Sequence, residues 1–412
     1  MEQTINTNWM LEHNRHFAQV NGFDPALRPQ ENHELQQKKL DTMIQDGQKK
    51  VAPILTAYER DGRLLQDFVA PIGFGNQMGK TVRFVANGGV NLVLPESKGD
   101  LVVPKSEDDL ITSNHYSLHS NAITQLSGML GIHGGYVRDL MNSNEPWKNE
   151  LIAHTLNEFS GHNKRERVLL RSVMGQVRGV LSTKYRRYDS VQLLESFIRQ
   201  SQAMGMQLID GHYNDIKVFL EAVHTKVFVV DTPNNGRMIF AFGVRVKNSD
   251  FGASRYEVQC IMFQVWCYNM ATTQSVLSQI HIGKELPADI NFADDTRDYQ
   301  TKLLETETRD ILGHVMSPNY LMERIAEIQK ASSVEIDLNN EFSRLFSTGK
   351  MMKTEVEMLK NVITASRPED GITGGNTLLK LSQGVGRVAQ DVDADRKREL
   401  DELAFSLMVR KN

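Results

Sequence analysis

The sequence predicts an α+β protein: a curved antiparallel sheet of hairpins packed with helices, followed by an all-helical C-terminal region. Three observations point there. Strand-like runs with period-two alternation are bounded by short turns rather than by long crossovers. They cluster before about residue 270. Beyond residue 285 the apolar spacing is helical throughout. With 412 residues, 40% hydrophobic and 24% charged, the chain has the composition of an ordinary globular protein of two or three domains.

Three regions follow from the pattern, at 1–114, 115–284 and 285–412. The first is mixed, with a helix over Leu35–Tyr58 and strands at Leu65–Ala70, Thr81–Val85 and Val90–Leu94. The second opens on helical spacing at Ile123, Leu126, Met129 and Leu130, broken by Gly134-Gly135. A hairpin follows, because Arg167–Val173 and Val177–Thr183 flank the short Met174-Gly175-Gln176 turn. A helix over Val191–Gln202 places Leu194, Phe197, Ile198 and Ser201 on one face, with Asp189 or Ser190 as its cap. Ile216, Val218 and Leu220 then alternate with Lys217, Phe219 and Glu221, and Thr225–Val230 runs into a Thr232–Gly236 turn. Phe240, Phe242, Val244 and Val246 alternate with Ala241, Gly243, Arg245 and Lys247, which predicts one buried and one wet face. The loop Asn248–Gly252 returns the chain into a Tyr256–Tyr268 strand. The third region carries helices at 299–315, 320–330, 338–345, 354–365, 378–389 and 396–408, the last with a Leu400, Leu403, Ala404, Leu407 stripe.

Most chemical motifs fail on spacing. Gly79-Lys80-Thr81 resembles the end of a P-loop, but Phe74 stands where the first glycine belongs, and Gly73-x-Gly75 is not followed by a correctly placed third glycine. Asp391-x-Asp393-x-Asp395 with Glu402 resembles a calcium loop, yet Arg396 replaces the turn glycine, and carboxylates opening a helix are the better reading. His115 and His119 lack a third ligand, which makes them surface or capping histidines. Cys260 and Cys267 form no CxxC and fall in an apolar strand; they suit a reducing compartment. No catalytic residue, metal ligand or cofactor is assigned, and an enzyme is not expected. With neither a leader-like start nor a long apolar run, the expected setting is cytoplasmic and away from the membrane.

Charge distribution carries more. The chain sums to −4, yet between Lys164 and Arg199 nine basic residues face three acids. Lys184-Tyr185-Arg186-Arg187-Tyr188 interleaves cations and aromatics, as single-stranded nucleic acid requires for phosphate neutralisation and base stacking. The candidate site is therefore Lys164, Arg165, Arg167, Arg171, Arg178, Lys184, Arg186 and Arg187 on phosphates and Tyr185 and Tyr188 on bases, extended by Arg245 and Lys247. The plainer reading is that these cations are solvated or pair with the C-terminal region, where 23 acids face 17 bases from Glu285 onward.

The runs Ala122–Tyr136, Leu156-Asn157, Leu169–Val173 with Val177–Asp189, Asn248–Gly252, Cys267–Met270 and His281–Gly283 resemble a phage- and plasmid-borne family described only as phage/plasmid-like protein of unknown function. Asn376–Leu379, Val388–Asp391 and Glu399–Leu403 extend the resemblance over about 120–408. It implies a mobile-element origin and a host-cytoplasmic setting, and brings no active site. The order hairpin, helix, antiparallel strands, helices is also similar to the core of single-strand annealing recombinases. Together with the basic segment, this second likeness points to a non-catalytic, homo-oligomeric protein that binds single-stranded nucleic acid, with DNA as the expected form, and promotes annealing or recombination. The alternative is a structural, assembly or host-interaction protein whose basic segment docks on a phage or host protein.

Overall fold

A computed structural model describes residues 32–72, 82–94, 115–142, 145–163, 167–183, 185, 190–267, 269–272, 277–279, 294–365, 372 and 374–410. The fold is α+β. Its strands form two sheets rather than one.

The chain begins with α1 (His33–Arg63), capped by Asn32, whose side chain accepts the Leu35 N–H. Strands β1 (Leu65–Pro71), β2 (Arg83–Ala86), β3 (Val90–Val93) and β4 (His115–Leu118) precede three helices, α2 (Ser120–Leu130), α3 (Gly134–Met141) and α4 (Pro146–His162). The hairpin β5 (Arg167–Val173) and β6 (Gln176–Leu181) completes a six-stranded sheet in the order β1-β5-β6-β4-β3-β2. Hydrogen-bonded pairing of β3 with β4, and of β1 with β5, joins residues on both sides of the expected boundary at 114. The hairpin turn has Met174 at φ 51° and Gly175 at φ 77°, the left-handed pair that follows the twist of its strands. One core gathers Phe68, Leu92, Val168, Leu170 and Val177 with Ile123, Leu126 and Leu156 of the helices. The outer strand β2 is covered by α4, where Asn157 accepts the Phe84 N–H (2.9 Å) and donates to the Phe84 carbonyl (2.7 Å). A side-chain amide thus stands in for a further strand.

Helix α5 (Ser190–Ala203) leads to the second sheet: β7 (Met206–Tyr213), β8 (Val218–His224), β9 (Phe228–Thr232), β10 (Gly236–Asn248), β11 (Tyr256–Gln264), β12 (Asn269–Thr272) and β13 (Leu277–Gln279). Its main path runs β12-β11-β10-β8-β7, with β9 beside β10 and β13 beside β11. Both faces are covered. Leu220, Ala222, Phe242, Val244 and Cys260 share a core with the C-terminal helices α6 (Asp294–Val315), α7 (Pro318–Ser333), α8 (Leu338–Ser347), α9 (Lys353–Ala365), α10 (Leu378–Val388) and α11 (Ala394–Met408). Val223, Ile239, Ala241, Ile261 and Phe263 pack instead against Leu40 and Ile44 of α1. Burial on both faces erases the expected alternation: every residue of β8 is buried, Phe219 and Glu221 included.

Smaller expectations resolve as follows. His119 caps α2, its Nδ1 accepting the Asn121 N–H, while His115 lies on β4, so the two share no helical face. Asp393 caps α11 by accepting the N–H groups of Asp395 and Arg396. Burial pushes the Cys260 thiol up to about 12. Residues 79–81 and 189 lie outside the described residues. Helix α4 and strand β7 were not expected. Helix α4 buries only Ile152, Ala153, Leu156 and Ser160, a stripe half made of small residues. In β7 a register shift between Leu208 and Asp210 interrupts the alternation.

Candidate functional site

The loop Asn248–Gly252 sits between the two sheets, and the basic hairpin closes on it. Gly179 makes this possible, since a Cβ there would lie 3.1 Å from the Phe251 backbone. From β5, Arg171 donates to Asp67 Oδ1 at 2.8 Å and to the Asp250 carbonyl. From β6, Arg178 Nη1 donates to Asp61 Oδ2 at 2.6 Å and to the Asp215 carbonyl at 3.1 Å. Tyr213 of β7 donates to the same Asp61 oxygen at 2.8 Å, and Tyr58 of α1 donates to Asp250 at 3.0 Å. Burial opposes the charge on Arg171, but Asp67 and Asp250 hold its pKa above the ordinary guanidinium range. Burial likewise opposes ionisation of Asp61, which Arg178, Arg60 and Tyr213 overcome, keeping its carboxyl below the usual range.

These contacts correct the site expected from sequence. Arg171 is 2% and Arg178 8% exposed; they are internal ties between the sheets, and their guanidinium groups do not line an open groove. Tyr185 is tied as well: its hydroxyl donates to the Ser249 carbonyl at 3.0 Å, and burial raises its pKa. Arg245 corrects the expected wet face. At 1% exposure it lies beside Glu221 and Gln259 in register and beneath α11, bonded to Glu221 (2.8 Å) and Asp401 (3.0 Å). Burial opposes its charge too, and the two carboxylates hold its pKa raised. Here the pairing with the acidic C-terminal region is realised. Arg167, the first residue of β5, is half-buried. Lys164, Arg165, Lys184, Arg186, Arg187 and Tyr188 lie outside the described residues.

Lys247 opens a different site. It lines a cleft of about 330 Å³ between the second sheet and the first turns of α11, together with Lys217, Arg255 and Arg398, none of them marked by the sequence pattern. Four carboxylates, Glu257, Asp395, Glu399 and Glu402, share the polar lining with Ser254 and Gln259. Lys247 pairs with Glu257 at 2.6 Å and Lys217 with Asp395 at 3.3 Å. Gln259 donates to Glu402 at 2.7 Å. At the floor the Arg398 guanidinium lies 3.4 Å from the centre of the Phe219 ring, a cation–π stack. The wall formed by Ala253–Arg255 belongs to the loop that anchors Tyr185, because Ser249 Oγ accepts the Ala253 N–H and donates to the Ile216 carbonyl. The residue that opens Tyr185-Arg186-Arg187-Tyr188 is therefore fixed beside the cleft.

Among the described residues, no three His, Cys, Asp or Glu side chains are placed to hold a metal ion, and no helix is long and apolar enough to cross a membrane. The chain matches no protein-family model, and neither curated proteins nor solved structures gave a match.

Proposed function

We propose that the chain is a phage- or plasmid-borne protein of the host cytoplasm that binds single-stranded nucleic acid and promotes annealing or recombination as a homo-oligomer, without catalytic chemistry of its own. The observation that carries this reading is the anchoring of Tyr185 on Ser249, next to the cleft that holds Lys247, Lys217 and Arg255. In sequence, Lys184, Arg186, Arg187 and Tyr188 adjoin that anchor, and Lys164 and Arg165 precede Arg167. Register pairs Leu169 with Leu181, so the start of β5 and the end of β6 lie at one end of the hairpin. Phosphates then fall to these flanking cations rather than to Arg171, Arg178 or Arg245.

A second reading, a structural, assembly or host-interaction protein, is favoured by Tyr299 and Leu303. They lie one turn apart on α6 and are 72% and 60% exposed. Fluorescence anisotropy with labelled single-stranded and duplex oligonucleotides separates the two. The nucleic-acid reading expects a preference for single strands that weakens steeply with salt as counterions are released. Absence of binding at low salt sinks it and leaves the second.

A further inference from the structure

We propose that the cleft beside Lys247 receives one unstacked nucleobase of a nucleotide, with Arg255 at its rim taking the attached phosphate; the base as a strand component rests on the single-strand reading, the pocket itself does not.

Three features converge. The volume, about 330 Å³, lies at the small end of the range for small-molecule sites and suits one nucleoside. Its floor is a planar guanidinium already backed by an aromatic ring, Arg398 on Phe219 at 3.4 Å; guanidinium planes stack on bases as aromatic rings do. Phe219 is 2% exposed, so the plane of Arg398 is supported from below.

Second, the charge of the cleft is balanced. Lys217, Lys247, Arg255 and Arg398 face as many carboxylates, and Lys217 and Lys247 are already engaged with Asp395 and Glu257. A balanced lining does not favour a bare anion and suits a neutral ring with mixed polar edges. Third, Arg255 is exposed and makes no ion pair or hydrogen bond among the described residues, which leaves a cation free at the mouth for a phosphate. A base inside a duplex has its faces stacked and its edge paired, so entry selects unpaired bases.

The test is isothermal titration of the full chain with dAMP, dCMP, dGMP and dTMP, with deoxyribose 5-phosphate and inorganic phosphate as ring-free probes. At least one mononucleotide should bind about tenfold more tightly than deoxyribose 5-phosphate. Arg398→Lys, which keeps the charge and removes the plane, should weaken that nucleotide about tenfold. Arg255→Ala, on an exposed residue whose loss leaves the fold intact, should weaken the nucleotide several-fold and leave its nucleoside unchanged. Equal binding of the ring-free probes, or no mononucleotide binding up to about 10 mM, overturns the proposal. Unchanged affinity in both variants does the same. Oligonucleotide binding without mononucleotide binding overturns the cleft while the single-strand reading stands. Mononucleotide binding without oligonucleotide binding supports the cleft and sinks that reading.

Discussion

One face of the second sheet has two halves of opposite chemistry. Beneath α1, Val223, Ile239, Ala241, Ile261 and Phe263 meet Leu40 and Ile44 in a small apolar core. Beneath α11, the same strands present Phe219, Glu221, Arg245 and Gln259 to Arg398, Asp401 and Glu402. Any apolar side chain of suitable size can fill the first half. The second needs particular carboxylates at particular places, and next to it the packing stays open as a cleft. Charge on a strand therefore reports what covers the strand, and does not by itself report water.

The sharpest way to break this contrast is Arg245→Ala, which strands Glu221 and leaves Asp401 with Lys397 alone, both carboxylates being nearly inaccessible. Removing one member of a buried charge cluster costs about 3–5 kcal/mol. Urea unfolding should show a loss of that size or outright failure to fold. The triple change Glu221→Gln, Arg245→Met and Asp401→Asn should recover most of it, since only the partly exposed Lys397 then loses an ion-pair partner. A small loss for Arg245→Ala alone would mean that water reaches this half.

A smaller effect is expected from His224 at the end of β8, whose pKa burial lowers to about 4. The unfolded imidazole takes its proton near the ordinary value of about 6.5, so below that pH the unfolded state binds a proton that the native state refuses. The contribution is fully present above pH 6.5 and lost as pH falls towards 4, at about 1.4 kcal/mol per pH unit. Burial also lowers the pKa of His33, His119 and His212, adding in the same direction. His224→Gln should flatten thermal stability against pH across that window, and an unaltered slope would place the proton uptake elsewhere.

The smallest expected change lies in the first sheet, at its covered edge. Asn157→Ala removes both bonds to Phe84 and leaves a part-buried N–H and carbonyl unpaired, a loss of about 1–2 kcal/mol. Hydrogen exchange should then quicken in β2 while β5 and β6 keep their protection. Uniform loss across the sheet would show that the amide ties the whole lobe rather than its edge.

Much of the fold was legible in the sequence because alternation and turns are local. The hairpin around Met174-Gly175, β10, the C-terminal helices and the carboxylates that open α11 follow from spacing alone. The coverage of each face was not legible. Alternation separated Val244 from Arg245 correctly, but the carboxylate that buries Arg245 arrives from Asp401, 156 residues later. Arg171 and Arg178 were read as a surface for the same reason: Asp250 and Asp61, which enclose them, belong to the loop between the sheets and to the first helix. The cleft escaped notice because Lys217, Arg255 and Arg398 lie in three separate segments, the first two as isolated cations and the third at the end of the Arg396-Lys397-Arg398 run. Only Lys247 lay within the pattern. One signal was available, the stripe Leu400, Leu403, Ala404, Leu407, which fixes which side of α11 is buried and so which residues turn towards the sheet.

The central claim is that strand cations hold the protein together while the cations flanking the hairpin meet phosphate. Its most direct test is the slope of log affinity against log salt for a single-stranded oligonucleotide, in the wild type and in the Arg186→Ala, Arg187→Ala double variant. Each phosphate contact contributes about 0.7 to that slope on single strands. The account predicts a slope shallower by about 1.4 with thermal stability unchanged. An unchanged slope, or a fall in stability without one in slope, would contradict it.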